Sequence, residues 1–156
     1  MSLFHERLWP APWLFFATAL VIPASLLVFL PINTTAGIIV AIVLYAGCVG
    51  LLLLGSPVIA VDGGMLVAGK ARLPLDVVAG AVASRGAQAR AERGTGLDAR
   101  AFLVIRGWID PVVRVTLDDP EDPTPYWLVS TRRPEELVRV LTSGAGADPA
   151  GAGSSD

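Results

Sequence analysis

The chain carries LWPAPWLFFATALVIPASLLVFLPINTTAGIIVAIVLYAGCVGLLLLGSPVIAV at residues 8–61, a stretch without Lys, Arg, Asp, Glu or His. It is too long for one bilayer crossing, and its lack of charge does not suit the core helix of a soluble protein. Residues 31–34 (PINT) interrupt it and leave apolar segments at 13–30 and 35–54. As helices these would be roughly 27 and 30 Å long, close to the hydrocarbon core of about 30 Å. The sequence therefore predicts a transmembrane helical hairpin over residues 13–55.

A cleaved signal peptide is the competing interpretation of the first segment, because Ala17-Thr18-Ala19 resembles a small-x-small cleavage site. The triplet comes early in the apolar run, however, and a second full segment follows, which favours the uncleaved hairpin. Arg7 precedes the hairpin and Lys70 and Arg72 follow it, whereas the turn between the segments has no charge. The positive-inside rule then predicts a multi-pass protein of the plasma (inner) membrane with both termini in the cytoplasm.

Several residues predict details of the hairpin. We interpret residues 1–12 as an interfacial segment that precedes the membrane. Pro23 lies within the first span and predicts a kink, because it leaves the carbonyl of Ala19 without a helical donor. Thr34 or Thr35 is the expected N-cap of the second helix.

Small residues mark one face of the second helix in the patterns Gly37-x-x-x-Ala41 and Ala46-x-x-x-Gly50. Such patterns allow helices to approach closely, and we predict packing against the first helix, with homo-oligomerisation as the alternative. Neither span contains an ionisable residue, which argues against a transporter that acts alone. The hairpin is therefore interpreted as an anchor.

The part of the chain after the hairpin predicts a small β-rich domain over residues 56–143. Its apolar runs alternate or are β-branched, and Gly, Pro and Asp separate them. Strands are expected at 58–61, 65–68, 77–82, 100–108, 112–117 and 126–130, a loop at 84–98, and a helix at 134–142. Residues 144–156 contain Gly, Ala, Ser, Pro and Asp, which is typical of a disordered tail. The predicted fold class is membrane α + β.

Six short strands followed by one helix resemble a pleckstrin-homology-like (PH-like) barrel or sandwich. Three strings give a closer resemblance: Glu6-Arg7-Leu8-Trp9-Pro10, the run DDPEDPTPYW at residues 118–127, and Ser130-Thr131-Arg132-Arg133-Pro134. Together they resemble a family of small actinobacterial two-helix membrane proteins of unknown function, over residues 4–142. The resemblance implies two transmembrane helices and a small β-rich domain, and it implies no activity.

The composition argues against several function classes. Net charge is −2 and the eleven arginines are dispersed, so we expect no nucleic-acid partner. Cys48 is the single cysteine and His5 the single histidine. The chain contains no nucleophile elbow, phosphate-binding loop or dinucleotide fingerprint. We therefore expect no enzyme activity and no cofactor.

The acidic residues Asp118, Asp119, Glu121 and Asp122 are the basis of the enzyme alternative. Carboxylate oxygens at short spacing suit Ca²⁺ or Mg²⁺, but this run lacks the ligand spacing of an EF-hand and contains three prolines with residue 125 included. We interpret it as a stiff turn without a metal. A small metal-dependent enzyme that uses residues 118–122 stays open as an alternative, and so does an accessory subunit of a transporter or channel.

Charge is distributed unevenly within the β-rich part. Residues 70–114 contain eight Lys or Arg and four Asp or Glu, whereas residues 118–156 contain three and eight. A basic half near the membrane would favour anionic lipid headgroups, with a mixed solvated surface as the alternative. The candidate contact residues are Arg85, Arg90, Arg93 and Arg100, with Arg132, Arg133 and Trp127 for a phosphate or carboxylate partner. The expected function is a membrane-anchored binding, scaffolding or regulatory protein, whose partners are the lipid bilayer and a membrane protein or a second copy.

Overall fold

The computed structural model describes residues 2–146. The chain divides into two compact units: residues 9–56 form the first, and the second joins the chain before Trp9 to the chain after Ser56. We call them the hairpin unit and the β unit. The part of the predicted tail at residues 147–156 lies outside the described residues.

The hairpin unit contains three helices: α1 (Pro12–Ala19), α2 (Val21–Phe29) and α3 (Thr34–Leu54). Within residues 2–146, two helical stretches, Pro12–Phe29 and Thr34–Leu54, are long and apolar enough to cross a membrane. Only 6% and 11% of their apolar windows are buried inside the molecule, which distinguishes them from the core helices of a soluble protein. The predicted pair of apolar helices at the N-terminal end is confirmed.

The first stretch is interrupted at Leu20, where α1 ends and α2 begins. Pro23 has no N–H to donate to the carbonyl of Ala19, so the helical ladder is broken next to Leu20. The predicted kink therefore appears as a break. The predicted cap of the second long helix is wrong: Asn33 is the N-cap, and its side chain accepts a hydrogen bond from the Ala36 amide at 3.2 Å.

Close packing of α2 against α3 occurs at Gly37. A Cβ atom built on Gly37 would lie 3.1 Å from the Cβ of Phe29, and Ala41 one turn later is buried. A Cβ on Gly50 would meet no atom within 4 Å, and Ala46 is exposed. The prediction of packing within the hairpin is confirmed for the first small-residue pattern, whereas Gly50 of the second makes no such close approach.

The β unit contains two four-stranded sheets. Sheet 1 has the order β1-β2-β3-β4 and is antiparallel, and sheet 2 has the order β5-β7-β8-β6, in which β6 runs parallel to β8. The strands are β1 (Phe4–Arg7), β2 (Val58–Asp62), β3 (Met65–Ala68), β4 (Ala71–Pro74), β5 (Val78–Ser84), β6 (Phe102–Val104), β7 (Val112–Leu117) and β8 (Tyr126–Ser130). A single 3₁₀ turn at Leu75–Val77 connects the sheets, and two helices complete the unit: α4 (Gly86–Arg93) and α5 (Pro134–Ala145).

Strand β1 was not predicted. It pairs with β2 so that Phe4 lies opposite Val61 and Arg7 opposite Val58, and the Leu8 amide donates to the Pro57 carbonyl at 2.9 Å. Part of the segment interpreted as interfacial, residues 1–12, is therefore an edge strand of sheet 1. Four residues are too few for an alternation to stand out from sequence, and the partner strand lies beyond the whole hairpin.

Three other differences concern residues 71–74 and 84–108. The expected loop at 84–98 contains α4, because Ala, Gln, Arg and Glu favour a helix. Its apolar residues are all alanines, so it has no periodic apolar stripe that sequence reading could detect. The expected strand at 100–108 shortens to the three residues of β6, and β4 was missed because Pro74 ends it after four residues.

The main core lies between the two sheets. Every strand contributes at least one buried side chain at 7% exposure or less, among them Ile59, Leu66 and Val113, and Leu137 and Leu141 of α5 close it at one side. A smaller second cluster lies elsewhere on sheet 2 and contains Ala89, Val112, Tyr126 and Leu128. Because Ala89 belongs to α4, that helix packs on sheet 2.

Candidate functional site

The structure brings four of the predicted contact arginines onto one segment. Arg85 is the N-cap residue of α4, Arg90 and Arg93 lie in its last turn, and Arg100 follows in the loop before β6. Arg132 and Arg133 are elsewhere, between β8 and α5. The seventh candidate, Trp127, lies in β8.

Three of the four arginines on this segment have carboxylate partners within the β unit. Arg85 contacts Glu135 of α5 through two hydrogen bonds of 2.9 and 2.6 Å, Arg93 contacts Asp110 at 3.2 Å, and Arg100 contacts Asp98 at 3.2 Å. Arg90 makes a weak contact of 3.5 Å to the Gly86 carbonyl. Most of the arginine side chains that were predicted to contact lipid headgroups are therefore paired with carboxylates of the same unit.

These contacts shift the pKa values of several paired side chains. The hydrogen bond from Arg85 lowers the pKa of Glu135 below its usual value, and the same contact raises the pKa of Arg85. The side-chain hydrogen bond from Arg100 likewise lowers the pKa of Asp98. Both pairs are exposed to solvent, so water and salt screen them.

Arg114 joins this group although the sequence did not single it out. Its guanidinium carbon lies 3.9 Å from the centre of the Tyr126 ring, and one of its nitrogens is 3.1 Å from a carboxylate oxygen of Glu92 in α4. The Tyr126 hydroxyl accepts a hydrogen bond from the Asp98 amide at 2.8 Å. An arginine in a strand of alternating valines was a detectable signal, because a charged residue there must face away from the core.

Arg132 and Arg133 lie beside β1. The carboxylate of Glu6, which is buried, accepts hydrogen bonds from the Arg132 amide at 3.0 Å and from the Thr131 hydroxyl. Arg133 donates to the carbonyl of His5, lies 4.7 Å from the centre of the Phe4 ring, and pairs with Glu136 at 3.0 Å. These contacts attach the N-terminal strand to the start of α5.

Trp127 is 6% exposed and belongs to the main core. Its ring packs against Phe102 with 4.5 Å between ring centres. In this arrangement it is packed inside the β unit and contributes little surface to a partner.

The acidic run uses its carboxylates to shape a turn. Asp119 accepts a hydrogen bond from the Glu121 amide at 2.9 Å, and Asp122 accepts one from the Thr124 amide at 2.8 Å. The contact with Thr124 lowers the pKa of Asp122. Within residues 2–146, no group of three His, Cys, Asp or Glu side chains is arranged to hold a metal ion.

An apolar groove of about 230 Å³ lies within the hairpin unit, between α2 and α3. Ile22 and Leu26 form one side, and Ala41 and Tyr45 lie on the other. Its lining is almost entirely hydrocarbon, which in a membrane would contact lipid chains or an apolar helix.

The comparisons with known proteins give one match. A family model described as "Protein of unknown function (DUF3093)" matches residues 3–141. Neither a curated protein nor a solved structure matches the chain. The matched region begins just before β1 and ends within α5, so it includes both the hairpin unit and the β unit. The chain belongs to the DUF3093 family of proteins of unknown function.

Proposed function

We propose that the protein is a membrane-anchored binding protein, a scaffold or regulatory subunit, that presents its β unit to a protein partner at the cytoplasmic face of the plasma membrane. The observation that supports this most is the insertion of the hairpin between two paired strands, β1 and β2. A helical hairpin so placed anchors a folded domain at two points. Dispersed ion pairs, without a cluster of catalytic groups among the described residues, favour binding over chemistry.

Strand β1 also favours an uncleaved anchor over a signal peptide. Cleavage after Ala19 would remove Phe4, Glu6 and Leu8, all of which are buried. It would leave Thr131 without its carboxylate partner and open the edge of β2. Because a protein that depends on these contacts would not retain its fold after cleavage, we propose that the first helix stays attached.

The pairing of β1 with β2 supports a topology in which both ends of the hairpin emerge on one side of the membrane. Arg7 and Val58 are opposite each other in the sheet, and one lies just before the first helix and the other just after the second. The assignment of that side to the cytoplasm depends on Arg7, Lys70 and Arg72. The PH-like assignment is a further hypothesis, supported by two four-stranded sheets with a C-terminal helix.

A protein partner is favoured over lipid headgroups because Arg85, Arg93 and Arg100 each face a carboxylate. An anionic lipid would have to compete with these contacts. The second candidate function, headgroup binding, retains support from Arg90 and from the excess of basic residues in this half of the β unit. A metal-dependent enzyme and a transporter subunit remain alternatives that no contact favours.

Crosslinking in native membranes followed by affinity purification tests the proposal. We expect a defined membrane protein to be enriched reproducibly, and the enrichment to be lost when the β unit is deleted and the hairpin retained. Recovery of the chain without another protein at every crosslinker concentration would contradict a separate protein partner. Crosslinked multimers of the chain in that sample would favour a homo-oligomer.

Liposome binding distinguishes the binding of lipid headgroups from the binding of a protein partner. Any fragment that starts after the hairpin unit would lack β1, which precedes that unit in the chain. The full chain in nanodiscs of neutral lipid should therefore be mixed with labelled anionic vesicles at low and at physiological salt. Binding that is lost when Arg85, Arg90, Arg93 and Arg100 are all changed to Gln would favour lipid headgroups over a protein partner.

A further inference from the structure

The face of sheet 2 on which α4 packs carries an apolar row, and we call it the outer face. Strand register places Val82, Arg114, Leu128 and Leu103 side by side across the four strands. Directly registered neighbours point to the same side of a sheet. Leu128 is fully buried, whereas Val82 is 61% exposed and Leu103 is 43% exposed. The row is therefore covered at its centre and open at both ends.

The centre is covered by residues 85–101, which contain α4 and the turn after it and which we call the cover segment. It contributes little apolar surface: Ala89 is fully buried, and Leu97 and Ala101 are partly buried. Burial of one alanine and part of two other side chains removes far less apolar area from water than a helix with Leu or Phe would remove. Apolar packing alone holds this segment weakly.

Ionic contacts tie the cover segment to the rest of the β unit. Asp110 accepts hydrogen bonds from the Gly86 amide at 2.8 Å and from Arg93 at 3.2 Å, and so holds both ends of α4. Arg85 pairs with Glu135, and their side chains are 54% and 66% exposed. The Arg93 side chain is only 18% exposed, but Asp110, Arg85 and Glu135 are each more than half exposed. Contacts of exposed charges are weak and are screened by salt, so this part of the unit should open more readily than the strands below it.

One contact indicates what could replace α4. Glu92 places its carboxylate against Arg114, which also stacks on Tyr126, while Ala89 one turn earlier packs on the apolar row. If α4 were displaced from the sheet, Arg114 would lose its ion pair with Glu92, and Leu128 would become exposed. A replacing segment would restore both contacts if it carried an apolar side chain and a carboxylate one helical turn apart.

We propose that residues 85–101 are a displaceable, autoinhibitory cover, and that the outer face beneath it binds a helical segment of a protein partner that carries a carboxylate one turn after an apolar side chain. The inference rests on the proposed function, because it names the site that the partner would use. The exposed ends of the row, Val82 and Leu103, extend the surface on both sides of α4.

Hydrogen exchange on the full chain in nanodiscs tests whether the cover opens. We expect protection of the α4 amides to fall at least fivefold at high salt and in the Asp110→Asn variant, with β7 and β8 unchanged. The control is Asp76→Asn, which removes the same charge from an exposed position in the 3₁₀ turn and should leave α4 protected. Exchange of α4 at the rate of β7 under all these conditions would overturn the proposal.

A peptide probe tests the surface. The probe is a labelled synthetic peptide of residues 85–97, which carries Ala89 and Glu92. It should bind the Asp110→Asn chain at least threefold more tightly than the unaltered chain, and a Glu92→Gln peptide should lose that binding. Equal binding of both peptides, or none, would overturn the docking surface. Neither readout needs the partner, so a failed affinity purification and a failed cover experiment are distinguishable.

Discussion

Arg7 in β1 lies directly opposite Val58 in β2, although the entire hairpin separates the two residues along the chain. The neighbouring hydrogen bond, from the Leu8 amide to the Pro57 carbonyl at 2.9 Å, closes this junction. The two ends of the hairpin are thus held as adjacent antiparallel strands usually are, about 5 Å apart between Cα atoms. The β unit is consequently a fold into which the hairpin unit is inserted along the chain.

Replacement of residues 9–56 by a short Asn-Gly-containing turn should give a folded, water-soluble β unit. The expectation follows because Leu8 and Pro57 already lie within hydrogen-bond distance, so a tight turn can connect the strands. Circular dichroism and size-exclusion chromatography measure the result. The control is a chain that starts at Pro57 and therefore omits residues 1–8. It should aggregate, and a well-folded control would contradict the role of β1.

Within that soluble variant, Phe4→Ala should lower the free energy of unfolding by about 3–5 kcal/mol, because Phe4 is buried in the main core. His5→Ala is the matched control in the same strand. Its side chain is exposed, and only its backbone carbonyl contacts Arg133, so we expect a change within about 0.5 kcal/mol. Urea unfolding measures both; equal effects would mean that β1 does not pack as described.

Gly37→Val should destabilise the hairpin unit by about 1–3 kcal/mol, because a Cβ there already approaches Phe29 at 3.1 Å and further methyl groups would force α2 and α3 apart. Gly50→Val on the same helix has open space around it and serves as control. Thermal unfolding of the full chain in detergent measures the difference. A larger loss for Gly50→Val would indicate that its face packs against a second copy or a partner helix.

Acid should release the cover segment. The pKa of Glu135 lies below its ordinary value of 4.5 and that of Asp98 below its ordinary value of 3.8, so their contacts are fully present above these values and are lost as pH falls through the lowered ones. Two other carboxylates are involved: Glu92, which lies on α4 and pairs with Arg114, and Asp110, which faces both ends of the helix. Protection factors of the α4 amides should therefore fall as the pH drops below the ordinary value of 4.5 for Glu135, whereas those of β2 should change less.

The Glu135→Gln variant provides the check on this pH dependence. It removes the titrating partner of Arg85, so the acid-dependent part of α4 protection should shrink while protection at neutral pH is already lower. An unchanged pH profile in this variant would show that the contact between Arg85 and Glu135 does not hold the segment.

Much of the fold could be predicted from sequence where one pattern dominates. The charge-free run predicts the two apolar helices, and the alternation of Val112–Leu117 and the β-branched or aromatic run at Tyr126–Ser130 predict β7 and β8 with the bounds that the structure has. Gly63 and Gly64, which separate the first two predicted strands, have positive φ, 56° and 76°, as a tight turn requires. In each case the information is local.

The features that were missed depend on distant partners. Strand β1 gains its stability from β2, Thr131 and Arg133, none of which lies near it in sequence. Helix α4 has no apolar stripe and depends on Asp110 and Glu135 for its contacts. The arginines were recognisable as a group, but their pairing with carboxylates from other elements could not be derived from spacing, so the site was expected to be more positive than it is.

The accessibility of introduced cysteines in intact cells measures directly whether the hairpin crosses the membrane with both of its ends on one side. With Cys48 changed to Ala, single cysteines at Ser2, Asn33 and Asp119 should be probed with a membrane-impermeant maleimide. We predict labelling at Asn33 in intact cells. Ser2 and Asp119 should be labelled only after the membrane is permeabilised. Residue 2 should still be present in the mature chain. Absence of residue 2 from the mature protein, or labelling of Ser2 and Asp119 from opposite sides, would contradict the insertion of a membrane hairpin between β1 and β2.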